Sequence, residues 1–335
     1  MELGGGGGIA SSQHRSFIEF PVVLIVDVDD GRLFPLVGEG PSCLLPIANR
    51  KLLTYQFDML SKSGVLEVFV AAPIYYEKYL TSLITHYHFE YPDMRVELVL
   101  VDNMQGSADA LRAVAKTTDR IKGERLKGDF ICMGSDMFSK FTLGDLANLH
   151  RMRTSDVTMM LAALQIVGPD KKGGVDKVLV DPEDQEFIGV SEEDGRIVMK
   201  QPVMGMESEL TFNKPLLHHC GSLTVRSDLS DVGIYIFSHW VLDFIKENEK
   251  LKCVRTEIVP FLVARQFQSM QYMLENVPAI RNRTRVLASL EPWLVASTAT
   301  SSISSNTGRG RGQVTTISLS LSLSLSYIYI ILPLI

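Results

Sequence analysis

The feature that most restricts the fold of this chain is a regular succession of apolar runs and apolar stripes between Pro21 and Ala163. Val22 to Val26 is a continuous apolar run, the mark of a strand buried on both faces. Leu53, Phe57 and Leu60 follow at helical spacing, and Gly64 stands where that helix would end. Val65–Ala71 reads as the next strand, and Tyr76, Leu80, Leu83 and Tyr87 stripe the helix after it. Val96–Val101, Ala108–Ala115, Phe130–Met133, Leu143–Met152 and Val157–Ala163 continue the series as strand, helix, strand, helix, strand. Strands separated by helices pair in parallel, with the helices covering both faces. The expected fold class is therefore α/β, with a doubly wound, mostly parallel sheet.

From Gly168 to Val225 the pattern changes. Short strand-like pieces (Val178–Val180, Phe187–Val190, Arg196–Met199, Leu223–Val225) are separated by Pro, Gly and acidic clusters, as in a small antiparallel insertion. Val232–Phe237 then returns as a buried strand, followed by an amphipathic helix (Val241, Phe244, Ile245) and another around Ile258–Phe267. The expected organisation is a flexible Gly-rich leader at 1–19, one domain at 20–268 with its antiparallel lobe at 168–225, and a low-complexity tail at 269–335. In the tail, Ser318–Ser326 alternates Ser with Leu, and Tyr327–Ile330 alternates Tyr with Ile. Repeated TC and TA dinucleotides read in codons as those two alternations, which points to translated non-coding sequence. A membrane anchor is the rival reading, because Ile317–Ile335 has about the length of a span. Serine at every second position and the missing basic flank oppose it, and no membrane association is expected. The same alternation is also that of an aggregation-prone strand.

Charge decides the class of partner. A net charge of −6 leaves no clustered Lys and Arg for a dedicated nucleic-acid surface, so no direct nucleic-acid contact is expected. The four cysteines (Cys43, Cys132, Cys220, Cys253) form no C-x-x-C pair, which fits free thiols in a reducing compartment and gives no zinc framework. His218-His219-Cys220 is not a metal set, because adjacent strand residues point to opposite faces. The leader has neither a basic segment nor an apolar one, so no secretory signal is read there and the expected location is the cytosol.

Three turns at strand ends carry the candidate chemistry. After the first strand, Val26-Asp27-Val28-Asp29-Asp30-Gly31 leads to Arg32, and Pro41-Ser42-Cys43-Leu44-Leu45-Pro46 follows. A phosphate-cradling loop needs glycines that let backbone N–H groups approach the anion. Asp27, Asp29 and Asp30 put carboxylates there instead, repelling phosphate unless a metal ion intervenes. Gly106-Ser107-Ala108 forms a small-residue turn between strand and helix, where a nucleobase or ribose could approach the backbone; a plain helix start capped by Ser107 is the competing reading. Gly134-Ser135-Asp136 places a carboxylate where Mg²⁺ would sit between phosphates, and Asp231 is a second candidate ligand from across the cleft.

The order of these parts, ending in the Gly233-Ile234-Tyr235 strand, resembles the nucleotidyltransferase domain of sugar-phosphate pyrophosphorylases over Pro21 to Gln268. In that superfamily the first motif has a glycine-rich loop, an Arg, and a Pro-Lys-Pro-Leu-Leu-Pro run. Here Ser42 stands where the lysine belongs. The chain is similar, more narrowly, to the gamma-subunit family of eukaryotic translation initiation factor 2B. Pro41–Leu53, Gly106–Arg112, Phe187-Ile188-Gly189-Val190 and above all Arg255–Phe267 carry that likeness. The resemblance implies a non-catalytic subunit with a decayed transferase site, no required cofactor, and at most a vestigial nucleotide or Mg²⁺ site at Arg32, Gly106, Ser107 and Ala108. It implies partnership with the epsilon and other subunits of the factor, which exchanges GDP for GTP on initiation factor 2. Family members continue into a β-helix of hexapeptide repeats, and this sequence shows no such repeats. Two other functions remain open. One is an active sugar-phosphate nucleotidyltransferase, such as a mannose-1-phosphate guanylyltransferase, with metal on Asp136 and Asp231, phosphates on Arg32 and the base at Gly106–Ala108. The other is a splice product without a function of its own.

Overall fold

The computed structural model describes residues 17–26, 40–120, 128–137, 142–163, 185–193, 195–203, 220–267 and 326–331, with a few isolated positions between. The chain runs β1 (Val22–Ile25), α1 (Leu52–Lys62), β2 (Glu67–Pro73), α2 (Glu77–Glu90), β3 (Arg95–Val101), α3 (Ser107–Arg120), β4 (Phe130–Gly134), α4 (Gly144–Arg153) and β5 (Val157–Ala163). It continues with β6 (Glu186–Ser191), β7 (Ile197–Pro202), β8 (Leu223–Arg226), β9 (Leu229–Phe237), α5 (His239–Glu247), α6 (Val259–Arg265) and β10 (Ser326–Ile331). One turn of π-helix, Val254–Ile258, leads into α6, whose first turn holds Pro260, where no N–H is needed.

Seven strands form the main sheet in the order β10-β5-β9-β4-β1-β2-β3. β1 pairs in parallel with β2 and β4, and β2 in parallel with β3. β9 runs antiparallel to both β4 and β5, so β5 shares the direction of β4. The mostly parallel, doubly wound α/β sheet read from the sequence is thus the one observed. The expected antiparallel lobe is a separate three-stranded sheet, β8-β6-β7. Val178–Val180 lies outside the described residues, as do Asp27–Arg32, His218, His219 and residues 1–16 of the leader. Of the rest of the leader, Ile18 is buried and bridges to Val65, and Glu19 accepts from Arg151.

Strand alternation builds two cores. Val23, Ile25, Phe69, Ala71, Phe130 and Cys132 face Leu111 and Val114 of α3 and Phe244 and Ile245 of α5. Val22, Leu24, Val68, Val70, Ile131 and Met133 face Leu53 and Phe57 of α1, Leu80 of α2 and Leu146 of α4. Each strand residue is committed to one face, and this fixes the register. The ligand-competent turns follow: in such a sheet they lie beyond the carboxyl ends of the parallel strands.

None of the four cysteines is in a disulfide. Burial pushes the Cys43 thiol up to about 12. At pH 8 iodoacetamide is expected to label the half-buried Cys220 and Cys253 and to leave the buried Cys43 unmodified, checked by peptide mass spectrometry. No described helix is long and apolar enough to cross a membrane.

Candidate functional site

Gly106 closes the turn between β3 and α3, and the reason for glycine is a second backbone passing beside it. A Cβ at this position would lie 2.4 Å from the Lys252 carbonyl oxygen. The Ala108 N–H donates to that same oxygen at 2.8 Å. Ser107 Oγ accepts the Val254 N–H at 2.8 Å, and Glu257 accepts the Lys252 N–H at 2.6 Å. On this face the turn therefore meets the chain's own backbone at Lys252–Val254. Replacing Gly106 by Ala is expected to cost about 1–3 kcal/mol, because the neighbour that must give way is backbone, not a flexible side chain. A shift in the urea midpoint at unchanged slope checks it.

Arg112, two turns into α3 and buried, completes the clamp. Its Nε donates to the Ile245 carbonyl at 2.9 Å, and Nη2 to the Asn248 and Leu251 carbonyls at 2.6 and 2.5 Å. Its Nη1 pairs with Asp109 at 2.7 Å. The accepting carbonyls belong to the end of α5 and the loop beyond it, where a helix leaves acceptors without partners. A cation there also meets the negative end of the helix dipole. Both signature stretches, Gly106–Arg112 and the segment from Arg255, therefore serve one junction. Beside it lies an open groove of about 550 Å³ whose lining includes Asp102, Asp109 and Glu249 as well as Arg112, Lys116 and Lys252. Lys252 Nζ is hydrogen-bonded to Gln105, and Arg112 is held by Asp109 and three carbonyls, so the three carboxylates and three cations of the lining balance and leave no excess positive charge for a polyphosphate.

The second cluster surrounds Asp231. β9 bulges between Asp231 and Tyr235, and Gly233 takes a φ of 79° at the bulge, which favours glycine. The Gly233 N–H donates to Asp231 Oδ1 at 2.9 Å, and the Tyr235 hydroxyl donates to Oδ2 at 2.6 Å. Lys200 Nζ lies 3.0 Å from the same Oδ2 and donates to Glu186 Oε1 at 3.0 Å and to the Arg255 carbonyl at 2.9 Å. All three ammonium donors are thereby engaged. Burial, reinforced by the Asp231 charge, raises the Tyr235 hydroxyl well above its ordinary value and keeps it a donor. Glu186 on β6, Lys200 on β7, Asp231 on β9 and the Arg255 carbonyl join the small lobe, the main sheet and the entry to α6.

Antiparallel β9 brings Asp231 to the carboxyl end of β4, the end at which Asp136 stands. The two carboxylates differ in circumstance: Asp136 is exposed, whereas Asp231 is buried and bonded through both oxygens. Among the described residues no group of three His, Cys, Asp or Glu could hold a metal ion. Arg32 lies outside the described residues, and Ser42 begins a short 3₁₀ turn, Ser42–Leu44. Sequence reasoning missed Lys200 and Arg112. Their signal was an ionisable residue set at apolar-face positions, in Ile197-Val198-Met199-Lys200 and in Leu111-Arg112.

Residues 30–277 match the family model described as nucleotidyl transferase. The chain is 28% identical over 279 residues to translation initiation factor eIF2B subunit gamma of Schizosaccharomyces pombe, covering 82% of this chain and 58% of that protein. It is 28% identical over 268 residues to the gamma subunit of Dictyostelium discoideum, covering 75% of this chain and 58% of the relative. Against eIF2B subunit epsilon of Schizosaccharomyces pombe it is 22% identical over 240 residues, covering 71% of this chain and 34% of the relative. The chain thus spans less than two thirds of the length of the gamma subunits it matches.

Proposed function

The chain belongs to the nucleotidyl transferase family, and on that premise we propose that it acts as a non-catalytic, gamma-type subunit of translation initiation factor 2B. In this reading it supports GDP/GTP exchange on initiation factor 2 through contacts with an epsilon-type subunit and the other subunits, in the cytosol. The observation that carries the proposal is the match to two gamma subunits along three quarters or more of the chain.

The geometry supports the non-catalytic half of the proposal. Transfer to a phosphate needs a cation free to meet charge that develops on the phosphoryl group. The Lys200 ammonium donates to protein acceptors only, and Ser42 supplies no charge. The Gly106–Ala108 turn, the nucleotide site anticipated from sequence, is bonded to Lys252–Val254. With no phosphate to neutralise, the fold is retained as a scaffold, and Mg²⁺ has no role at Asp136 and Asp231.

Co-expression of the tagged full chain with an epsilon-type subunit tests the assignment. Recovery of both in one complex at equal stoichiometry is the expected result. A folded, monomeric chain that leaves the epsilon-type subunit behind would overturn it.

A further inference from the structure

β3 ends the main sheet: β2 pairs with one side of it, and among the described residues no strand pairs with the other. Such an edge presents a row of backbone N–H and C=O groups to which a further strand can add. The charges on it are opposite in sign and two positions apart, Arg95 exposed and Glu97 half-buried, with buried Val96 between them. Residues two apart share a face of the sheet. If β3 meets a second copy of itself antiparallel, with a two-fold axis at Val96, each Arg95 lies opposite the other copy's Glu97. An unrelated strand leaves both charges unmatched. The pair that discourages a foreign strand thus complements this chain's own edge.

α2 carries an exposed stripe beside the same edge. Tyr79, Ser82, His86 and Phe89 recur at spacings of three, four and three, and all four are exposed. On the other flank of the helix, the Tyr87 hydroxyl meets Thr54 of α1, and just beyond the helix Tyr91 donates to Asp58 of α1. α1 joins β1 to β2, so that flank looks toward the middle of the sheet and the exposed stripe looks toward the open side of β3. Phe89, 81% exposed, stands where α2 borders the start of β3, since His88, Asp93 and Arg95 line one groove there. Val96 belongs to the core on the α2 side. A two-fold axis at Val96 therefore brings the two Phe89 rings together on that face, and the Arg95–Glu97 pairs form on the opposite one.

We propose that the β3–α2 edge is a self-association surface, at which two copies of this chain join their sheets antiparallel about Val96. Two Arg95–Glu97 ion pairs give the register, and the paired Phe89 rings supply the apolar contact. This goes beyond the subunit assignment and does not depend on it.

Sedimentation of the full chain through the micromolar range, with complementary charge reversals, is the test. The wild type is expected to dimerise reversibly. Arg95→Glu and Glu97→Arg each set like charges against each other twice across the axis, and each is expected to raise the dimer dissociation constant about tenfold or more. Mixed in equal amounts, the two variants regain an opposite pair at both positions and should form a mixed dimer as tight as the wild type. Phe89→Ser, a change at an exposed position that leaves the charges in place, is expected to weaken association by about tenfold as well. A monomeric wild type, single variants that dimerise as the wild type does, or a mixture that stays monomeric would each overturn the proposal. A wild type that is monomeric alone, but whose β3 amides gain protection from exchange when an epsilon-type subunit is added, would assign the edge to that subunit and overturn it likewise.

Discussion

Replacing Lys200 by methionine is expected to destabilise the domain by about 3–5 kcal/mol, because two buried carboxylates then lose their shared cation. Lys200 is 5% exposed, and Asp231 and Glu186 are buried beside it. Burying a charge is tolerated only when it is paired and hydrogen-bonded. Lys200 and Asp231 meet that condition, whereas Glu186 holds Lys200 on Oε1, with Arg255 Nε 3.7 Å away, and has no hydrogen-bond partner for its buried Oε2. The single substitution is therefore more damaging than the removal of the whole network. Lys200→Met combined with Asp231→Asn and Glu186→Gln should regain much of the loss, since no uncompensated charge remains. Urea unfolding at pH 7 measures both variants. A loss below about 1 kcal/mol for the single variant would mean that water reaches the cluster.

Arg112→Met is the second large effect, with an expected loss of about 3 kcal/mol or more, because hydrogen bonds to a charged donor contribute about 1.5–3 kcal/mol each. One buried carbonyl, two half-buried ones and the Asp109 carboxylate lose their donor together. Arg112→Lys should rescue little, because a single ammonium cannot reproduce the planar fork. Hydrogen exchange adds a local readout: the end of α5 and residues 248–254 should open well before the rest of the domain. Uniform loss of protection across the sheet would instead place the damage in the core.

The fold was legible where hydrophobic period settles the answer. Val22–Ile25, Glu67–Pro73 and Val157–Ala163 fall within about two residues of the runs read from sequence, because buried strands are apolar throughout and the helices between them carry one stripe. The direction of β9 was not legible. Val232–Phe237 is equally apolar read either way, and its antiparallel entry is set by the lobe that brings the chain back to the sheet. The tail was read as low-complexity and its alternation as that of an aggregation-prone strand, and within it Ser326–Ile331 pairs with β5.

The candidate site was located more readily than it was interpreted. Gly106-Ser107-Ala108 sits at a strand-to-helix turn as expected, but Ser107 meets its partner 147 positions away in sequence, at Val254. Small residues in a turn signal close approach without revealing what approaches. Asp231 was picked as a metal ligand from across the cleft, and the structure places it buried at the carboxyl end of β4. Its partner Lys200 stayed hidden, because a lysine in a strand ordinarily reads as an outward residue, and only the lobe's packing on β9 turns it inward. Arg32 and the aspartates at 27, 29 and 30 lie outside the described residues, so the case for a non-catalytic site rests on Lys200, Gly106–Ala108 and Ser42.

Pyrophosphate release by the purified full chain, supplied with GTP, mannose 1-phosphate and Mg²⁺, tests the non-catalytic site most directly. The expected rate equals that of the mixture without protein, for the wild type and for the Gly106→Ala variant alike. Turnover above that background, lost when Asp136 is changed to Asn, would contradict a transferase fold kept as a scaffold.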